Sequence, residues 1–258
     1  MVRLPSHSAP ASALILAAGR GARMRPLTDS TPKPLLAVQG RPLMQWAMEA
    51  LAAGGAAHVV VNTGWLGQQI QDRFGARVGL DNGRVLAVSY SREELDFGYA
   101  LETQGGIARA LPLLEEVFWV ASGDVLAPDF AFDEAVRERF AASGELAHLW
   151  LVPNPDFHPD GDFAFDAGGR IHNAADPEVP RYTFSNLALF RRAFFGPPLC
   201  DIAFGNPQGL ARPLVALLRA GIDAGVVGAS LYQGRWANVG TPAQLAVLDA
   251  GAPLRSDQ

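Results

Sequence analysis

The stretch ALILAAGRGARMRPLTDSTPKPL, residues 13–35, decides how the chain is read. It opens on an apolar run that stops at Gly19 and Gly21. A short apolar run closed by glycines reads as a strand buried on both faces, then a loop whose backbone can approach a ligand. Four cations follow, Arg20, Arg23, Arg25 and Lys33, with Lys33 set between Pro32 and Pro34. Two known phosphate loops are excluded. The dinucleotide fingerprint needs a third glycine where Met24 stands, and the Gly-Lys-Ser/Thr of a P-loop does not occur. What remains is a cationic glycine loop at the carboxyl end of a strand, where open α/β sheets place ligands. Free amides together with several cations suit a polyphosphate. The bland alternative is a solvated loop of surface ion pairs. It leaves most of this charge unpaired locally, because Asp29 is the one acid nearby.

The rest of the chain makes this charge a local feature. Its 258 residues carry a net charge of −5, which argues against a general nucleic-acid or membrane surface. No apolar run approaches the ~20 residues that span a bilayer. Residues 1–10 read as a frayed tail: the one Arg, and an apolar stretch at the short limit for a secretory signal and preceded by Pro5 and Pro10, argue against a signal peptide. Cys200 is the only cysteine, which excludes an intrachain disulfide and a cysteine metal cage and makes the cytoplasm the default compartment. Among 21 basic residues Lys33 is the single lysine. Either codon preference left one lysine, or the position needs a compact ammonium on a flexible stem.

Strands and helices alternate through the first half. Strands are expected at Ser12–Ala17, 58–62, 85–90 and 117–122. Helices are expected from Pro42 to the Gly54-Gly55 stop, through Leu66, Ile70 and Phe74, and over 103–111. This order implies βαβ units and a mainly parallel sheet covered on both faces. The second half is less regular. It predicts strands at 147–152 and 183–190, a hairpin of 162–166 with 169–173, and helices over 209–219 and 242–250. Neither a linker nor a repeat interrupts the chain, so a single domain over 1–258 is expected, with the late hairpins over the sheet's edge. Trp46, Trp65, Trp119 and Trp150 fall in strand or helix patterns and are expected in the core.

The segment LAAGRGARMRPLTDSTPKPL resembles the signature of the sugar-phosphate nucleotidyltransferases. Further segments follow in the family's order: NTGWLGQQI, LETQGGIARALPLL, SGDV, NPDFHPDGDF, YTFSNLALF and RWANVGTPAQL. Within the family the chain is most similar to the small N-acetylmuramate-1-phosphate uridylyltransferases of cell-wall recycling, which lack a C-terminal β-helix. The resemblance implies a Rossmann-like, type A nucleotidyltransferase fold. It also implies an Mg²⁺-dependent reaction of a nucleoside triphosphate with a sugar 1-phosphate, giving an NDP-sugar and pyrophosphate. Small-molecule substrates, a cytoplasmic location and a monomer or weak dimer go with it.

The family pattern then assigns roles. Leu16, Ala17, Ala18 and Gly19 would face base and ribose, and Gly21 would close on the phosphates. Arg23, Arg25 and Lys33 would hold those phosphates, with Arg25 and Lys33 catalytic. Gln104, Gly105 and Gly106 would present helix amides to the nucleotide, unless they are only a glycine-softened helix start. Gln104 departs from an expected glycine. Asp124 would bind Mg²⁺ and be catalytic; read alone, it could instead cap the next turn. Asn238 stands where the family has a metal-binding aspartate, and it either ligates Mg²⁺ without charge or caps the helix near Pro242. Glu102, Asn154, Gly161, Asp162 and Asn186 would bind the sugar phosphate. UTP with N-acetylmuramate 1-phosphate is the expected pair. Other hexose 1-phosphates with UTP, GTP or dTTP stand second, and choline phosphate with CTP is more distant. A nucleotide-sugar-binding regulator that has lost catalysis is the alternative that Asn238 and Gln104 raise.

Overall fold

In a computed structural model, residues 11–251 are described apart from residues 82 and 175, so the tail expected at 1–10 lies outside the described residues. The chain runs β1 (Ser12–Ala17), α1 (Leu43–Ala53), β2 (His58–Thr63), α2 (Gly67–Phe74), β3 (Arg77–Gly79), β4 (Val85–Arg92), α3 (Glu93–Phe97) and α4 (Glu102–Ala110). It continues with β5 (Val117–Ser122), α5 (Glu134–Ala142), β6 (Ala147–Val152), β7 (Phe163–Phe165), β8 (Ile171–His172), β9 (Arg181–Arg191), α6 (Leu214–Asp223), β10 (Val227–Leu231) and α7 (Pro242–Asp249).

These ten strands share one sheet with the path β8-β7-β9-β5-β1-β2-β4-β3, and β6 joins β9 to β10. The central strands β5, β1, β2 and β4 are mutually parallel. β9 is antiparallel to β5 and to β6, and β3 is antiparallel to β4. The sheet is therefore mixed with a parallel centre, the Rossmann-like arrangement expected from the strand–helix alternation. No β-helix occurs among the described residues.

Successive residues of the central strands point to opposite faces, and both faces are covered. Ile15, Val61 and Trp119 pack with Met44, Met48 and Leu51 of α1 on one side. Leu14, Val60 and Phe118 pack with Ile107 of α4 and Leu218 of α6 on the other. This two-sided burial is why the strands read as unbroken apolar runs. Removing Leu14, which is fully buried, down to alanine would cost about 2–5 kcal/mol. A smaller cluster of Met24, Leu36, Val38, Leu43, Leu126 and Val239 lies beneath the glycine loop. Met24, at the place where a dinucleotide loop would have its third glycine, is the loop's buried anchor.

Several expectations shift. α1 begins at Leu43, with Pro42 as its N-cap. The helix expected over 209–219 is displaced to Leu214–Asp223, and Pro213 caps it. Residues 209–213 instead strap the start of α4: Arg212 N donates to Leu101 O at 3.1 Å, and Gln104 N donates to Arg212 O at 2.9 Å. Gly209 takes φ +66° where the strap passes against the Phe97 ring. α3, α5, β3 and β10 were not anticipated. No helix of the described residues is long and apolar enough to cross a membrane.

Candidate active site

The carboxyl ends of three parallel strands open into one cleft of about 610 Å³, lined by Leu16 and Ala17 of β1, Asn62 of β2 and Ser122 of β5. The glycine loop forms its rim. Gly21 takes φ +65°, and a Cβ there would lie 3.1 Å from both Lys33 Cβ and Thr28 Cγ2. The loop thus packs on the lysine stem, and Thr28 Oγ1 donates to Gly21 O at 2.9 Å. Gly64 allows a second close approach, since a Cβ there would stand 2.4 Å from Ala18 O. Gly19 faces open space.

The cations divide. Arg20, Arg23 and Lys33 line the cleft. Arg25 does not: its guanidinium is exposed and its Nε lies 3.1 Å from Asp29 Oδ1. Asp29 thus pairs with the one arginine of the loop that does not line the cleft. Arg20 lies over the Trp65 ring at 4.2 Å, and Trp65 Nε1 donates to Thr28 O at 2.9 Å. Trp65 is therefore a half-buried brace of the loop rather than a core residue. Trp46 is also only half-buried, whereas Trp119 and Trp150 are in the core as expected.

The buried ammonium of Lys33 is ion-paired with Asp124 Oδ2. Ser122 Oγ donates to the other oxygen, Oδ1, at 2.6 Å. Asp124 caps no helix. Beside it, the two-residue strands Val125–Leu126 and Ala237–Asn238 pair with Asn238 opposite Val125, and Val239 N donates to Asp124 O at 3.0 Å. Asn238 Oδ1 is buried without a hydrogen-bond partner. Asn238 does not cap α7 either, because Thr241 takes that place, accepting from Gln244 N at 3.3 Å. The Asp124 carboxylate, in the turn before Val125, and the orphaned Asn238 amide oxygen on the strand paired with Val125–Leu126 are hard donors that fit Mg²⁺. Among the described residues no group of three or more His, Cys, Asp or Glu could hold a metal. A dication here would complete its shell with substrate oxygens and water.

Ala100 and the first turn of α4, through Glu102 and Thr103, form a further wall. Gln104, Gly105 and Gly106 lie behind it and do not line the cleft. Gln104 is buried with its Nε2 3.3 Å from Cys200 Sγ, so its side chain meets the core rather than a base. The strap takes its amide, and Gly105 N also reaches Arg212 O, at 3.4 Å. A Cβ on Gly105 would stand 2.2 Å from Leu210 O, and one on Gly106 would stand 2.4 Å from Glu93 Oε1. Both glycines serve close packing.

A second cavity of about 350 Å³ adjoins the first and shares Thr103, Asn186 and Asn238 with it. Asn186 takes φ +62°, within the irregularity of β9 between Phe184 and Ala188. Such a conformation is strained for a non-glycine residue and aims the amide at both cavities. Asp162 lines the second cavity; its Oδ2 accepts from Phe184 N at 2.8 Å and its Oδ1 lies 3.1 Å from His158 Nε2. Asn154 and Gly161 stand behind. Asn154 Nδ2 donates to Pro159 O at 2.9 Å and to Arg181 O at 3.1 Å. A Cβ on Gly161 would come within 2.6 Å of Asn154 Oδ1. These two build the turn that carries Asp162.

Sequence reasoning missed Asn62, Glu93, Thr103 and Trp236 among the lining residues, and it counted Arg20 among the loop's cations without giving it a role of its own. Asn62 had a signal: it ends an apolar strand just where the first strand meets its glycines. A larger cavity of about 820 Å³ opens between α1 and residues 127–134, but its lining contains acids and no basic residue. It is the wrong sign for phosphate.

Comparison with known proteins agrees with this fold. Residues 12–188 match the nucleotidyl transferase family. An N-acetylmuramate alpha-1-phosphate uridylyltransferase of Neisseria meningitidis serogroup B is 40% identical over 238 residues, 90% of this chain and 94% of that protein. One from Caulobacter vibrioides is 30% identical over 242 residues, 91% of this chain and 93% of that protein. A solved structure of a putative glucose-1-phosphate thymidylyltransferase from Bacillus anthracis superposes with a TM-score of 0.75 at 20% identity, covering 93% of this chain and 94% of that one. The chain belongs to the nucleotidyl transferase family, as a sugar-1-phosphate nucleotidyltransferase.

Proposed function

We propose that the protein joins UTP to N-acetylmuramate 1-phosphate, forming the UDP-sugar and pyrophosphate for cell-wall recycling. The observation that carries this reading is the meeting of two cavities at Thr103, Asn186 and Asn238, beside the Lys33–Asp124 pair. A cleft rimmed by the cationic glycine loop can take the phosphates of both substrates, and the adjoining pocket offers amide, hydroxyl and aromatic groups that suit a sugar. The choice of base and sugar is supported by the two relatives that carry this activity in their names.

In this reading an oxygen of the sugar phosphate attacks the α-phosphorus in line. The new O–P bond forms as the bond to the pyrophosphate oxygen breaks. The nucleophile is already ionised, so no general base is needed. The protein's work is alignment and charge neutralisation. Backbone around Gly19 and Gly21 approaches the phosphates. Arg23 and Lys33 offset their charge as it shifts to the leaving group. Asp124 and Asn238 would hold Mg²⁺, which when bound relieves the repulsion between the two phosphate groups. The free, buried Cys200 suits a reducing, cytoplasmic compartment.

The test is pyrophosphate release across a grid of UTP, GTP, CTP and dTTP against muramate, glucose, glucosamine and mannose phosphates. The expected maximum is UTP with N-acetylmuramate 1-phosphate. A maximum elsewhere replaces the substrate pair. Silence throughout, with UTP bound in calorimetry, favours the non-catalytic regulator.

A further inference from the structure

Glu93 is a fully buried carboxylate at the floor of the cleft, 1% exposed, to which the reaction above gives no task. Both of its oxygens accept. Leu101 N donates to Oε2 at 2.7 Å, and Asn62 Nδ2 donates to Oε1 at 2.7 Å. The other end of the Asn62 amide accepts from Ala17 N at 2.6 Å. The carbonyl of that same peptide, Leu16 O, accepts from Gly123 N at 2.8 Å, one residue before Asp124. A single chain of hydrogen bonds therefore crosses the cleft floor. It starts at Leu101, just before α4, and ends at the Asp124 loop.

The polarity of this chain is forced. Its outer donors on this side, Leu101 N–H and Ala17 N–H, can only donate. Asn62 must therefore turn its oxygen to Ala17 and its NH₂ to residue 93, which must accept twice. A glutamate does so with either oxygen. Burial raises the Glu93 carboxyl above its ordinary value, the donors from Leu101 and Asn62 oppose that rise, and the charge of Glu102 adds to it. Gly106 leaves the room: a Cβ there would meet Glu93 Oε1 at 2.4 Å and Asn62 Nδ2 at 2.9 Å.

We propose that Glu93 and Asn62 are positioning residues that fix the Leu16–Ala17 peptide and so hold the nucleotide-facing wall in register with the Asp124 loop. The proposal rests on reading the larger cleft as the nucleotide site. The acceptor cavity touches neither residue, so the effect belongs to the nucleotide.

Three variants test it: Glu93→Gln, Asn62→Asp and the two combined. Glu93→Gln sets an NH₂ against a donor. Asn62→Asp sets two carboxylates face to face. Together they restore every bond: the new carboxylate at 62 accepts from Ala17 N–H and from the new amide at 93, whose oxygen accepts from Leu101 N–H. Each single variant is expected to lose on the order of tenfold to a hundredfold in kcat/KM for UTP. The KM for the sugar phosphate stays within about twofold. The combined variant recovers most of the loss. Calorimetry of wild type with UTP separates the two levels. A wild type that binds no UTP overturns the nucleotide reading and the proposal with it. A wild type that binds, with single variants unimpaired or a combined variant no better than the worse single one, overturns the positioning role alone. If a single variant does not fold, the combined variant decides: folded and active supports the chain, unfolded or inactive overturns it.

Discussion

Lys33 Nζ and Asp124 Oδ2 form an ion pair on the floor of the cleft, joining the Pro-Lys-Pro corner to the end of β5. The chain's only lysine thus sits where a compact ammonium must fit beneath the packed glycine at 21. Lys33→Ala removes a phosphate-facing charge and leaves Asp124 with the Ser122 hydroxyl as its remaining side-chain donor. Turnover should fall on the order of 10²–10³-fold. Lys33→Arg should not restore it, because a planar fork cannot take the place of a point charge on a thin stem. Steady-state pyrophosphate release checks both, and unchanged turnover would show the pair to be structural only.

Asn238 presents a buried oxygen without a partner beside Asp124. Adding a charge at that oxygen should tighten a dication. Asn238→Asp is expected to lower the Mg²⁺ concentration for half activity, and Asp124→Asn to raise it or abolish activity. A Mg²⁺ titration of each variant reads this directly. An unmoved midpoint in Asn238→Asp would mean that residue 238 does not touch the metal.

Arg23 and Arg25 are two residues apart and should behave differently. Arg25 spends its charge on Asp29 in an exposed pair, an interaction worth about 0–1 kcal/mol. Arg25→Ala should change turnover by less than about threefold, whereas Arg23→Ala should raise the KM for UTP by about tenfold. The reverse order would restore Arg25 to the site.

These differences mark where the sequence was legible. The central strands were read within one or two residues because two-sided burial makes them unbroken apolar runs. The glycine loop and Lys33 stood out because charge and glycine gather there against an acidic background, whereas Asp124 was singled out by its place after a buried strand at the sheet's carboxyl edge and by the family resemblance. Arg25 was misplaced because linear spacing does not say which way a side chain leaves a tight turn. Gln104, Gly105 and Gly106 resemble a ligand loop, but strap 209–213 crosses over them, a contact between residues about 100 positions apart. Asn154 and Gly161 failed for the same reason: each packs on Arg181 or Tyr182 of a distant strand. Glu93 carried no signal, since a lone glutamate after a strand reads as surface until Leu101 and Asn62 are placed around it.

Gly106→Ala should be destabilising although it lies outside the cleft. The added methyl would enter the space of Glu93 Oε1 and Asn62 Nδ2, and overpacking of this kind costs about 1–3 kcal/mol. Chemical denaturation measures it. A stability equal to wild type would show that α4 can shift away without cost.

The raised Glu93 carboxyl gives a pH dependence with a definite sign. The folded protein keeps this proton at pH values where the unfolded chain has released it. The stability contributed by the group is fully present below the ordinary glutamate value of 4.5 and is lost as pH rises through the raised folded value. Relative to Glu93→Gln, wild type should therefore lose stability across that window and run parallel above it. A wild type that gains stability relative to Glu93→Gln as pH rises would contradict the raised Glu93 carboxyl.

The most direct measurement is ³¹P NMR of the purified protein with Mg²⁺, UTP and N-acetylmuramate 1-phosphate. Equal loss of the triphosphate and sugar-phosphate signals, matched by pyrophosphate and a new diphosphate diester, is the predicted result. Both substrates remaining unchanged, while UTP is seen to bind, would contradict nucleotidyl transfer to this acceptor at the cleft.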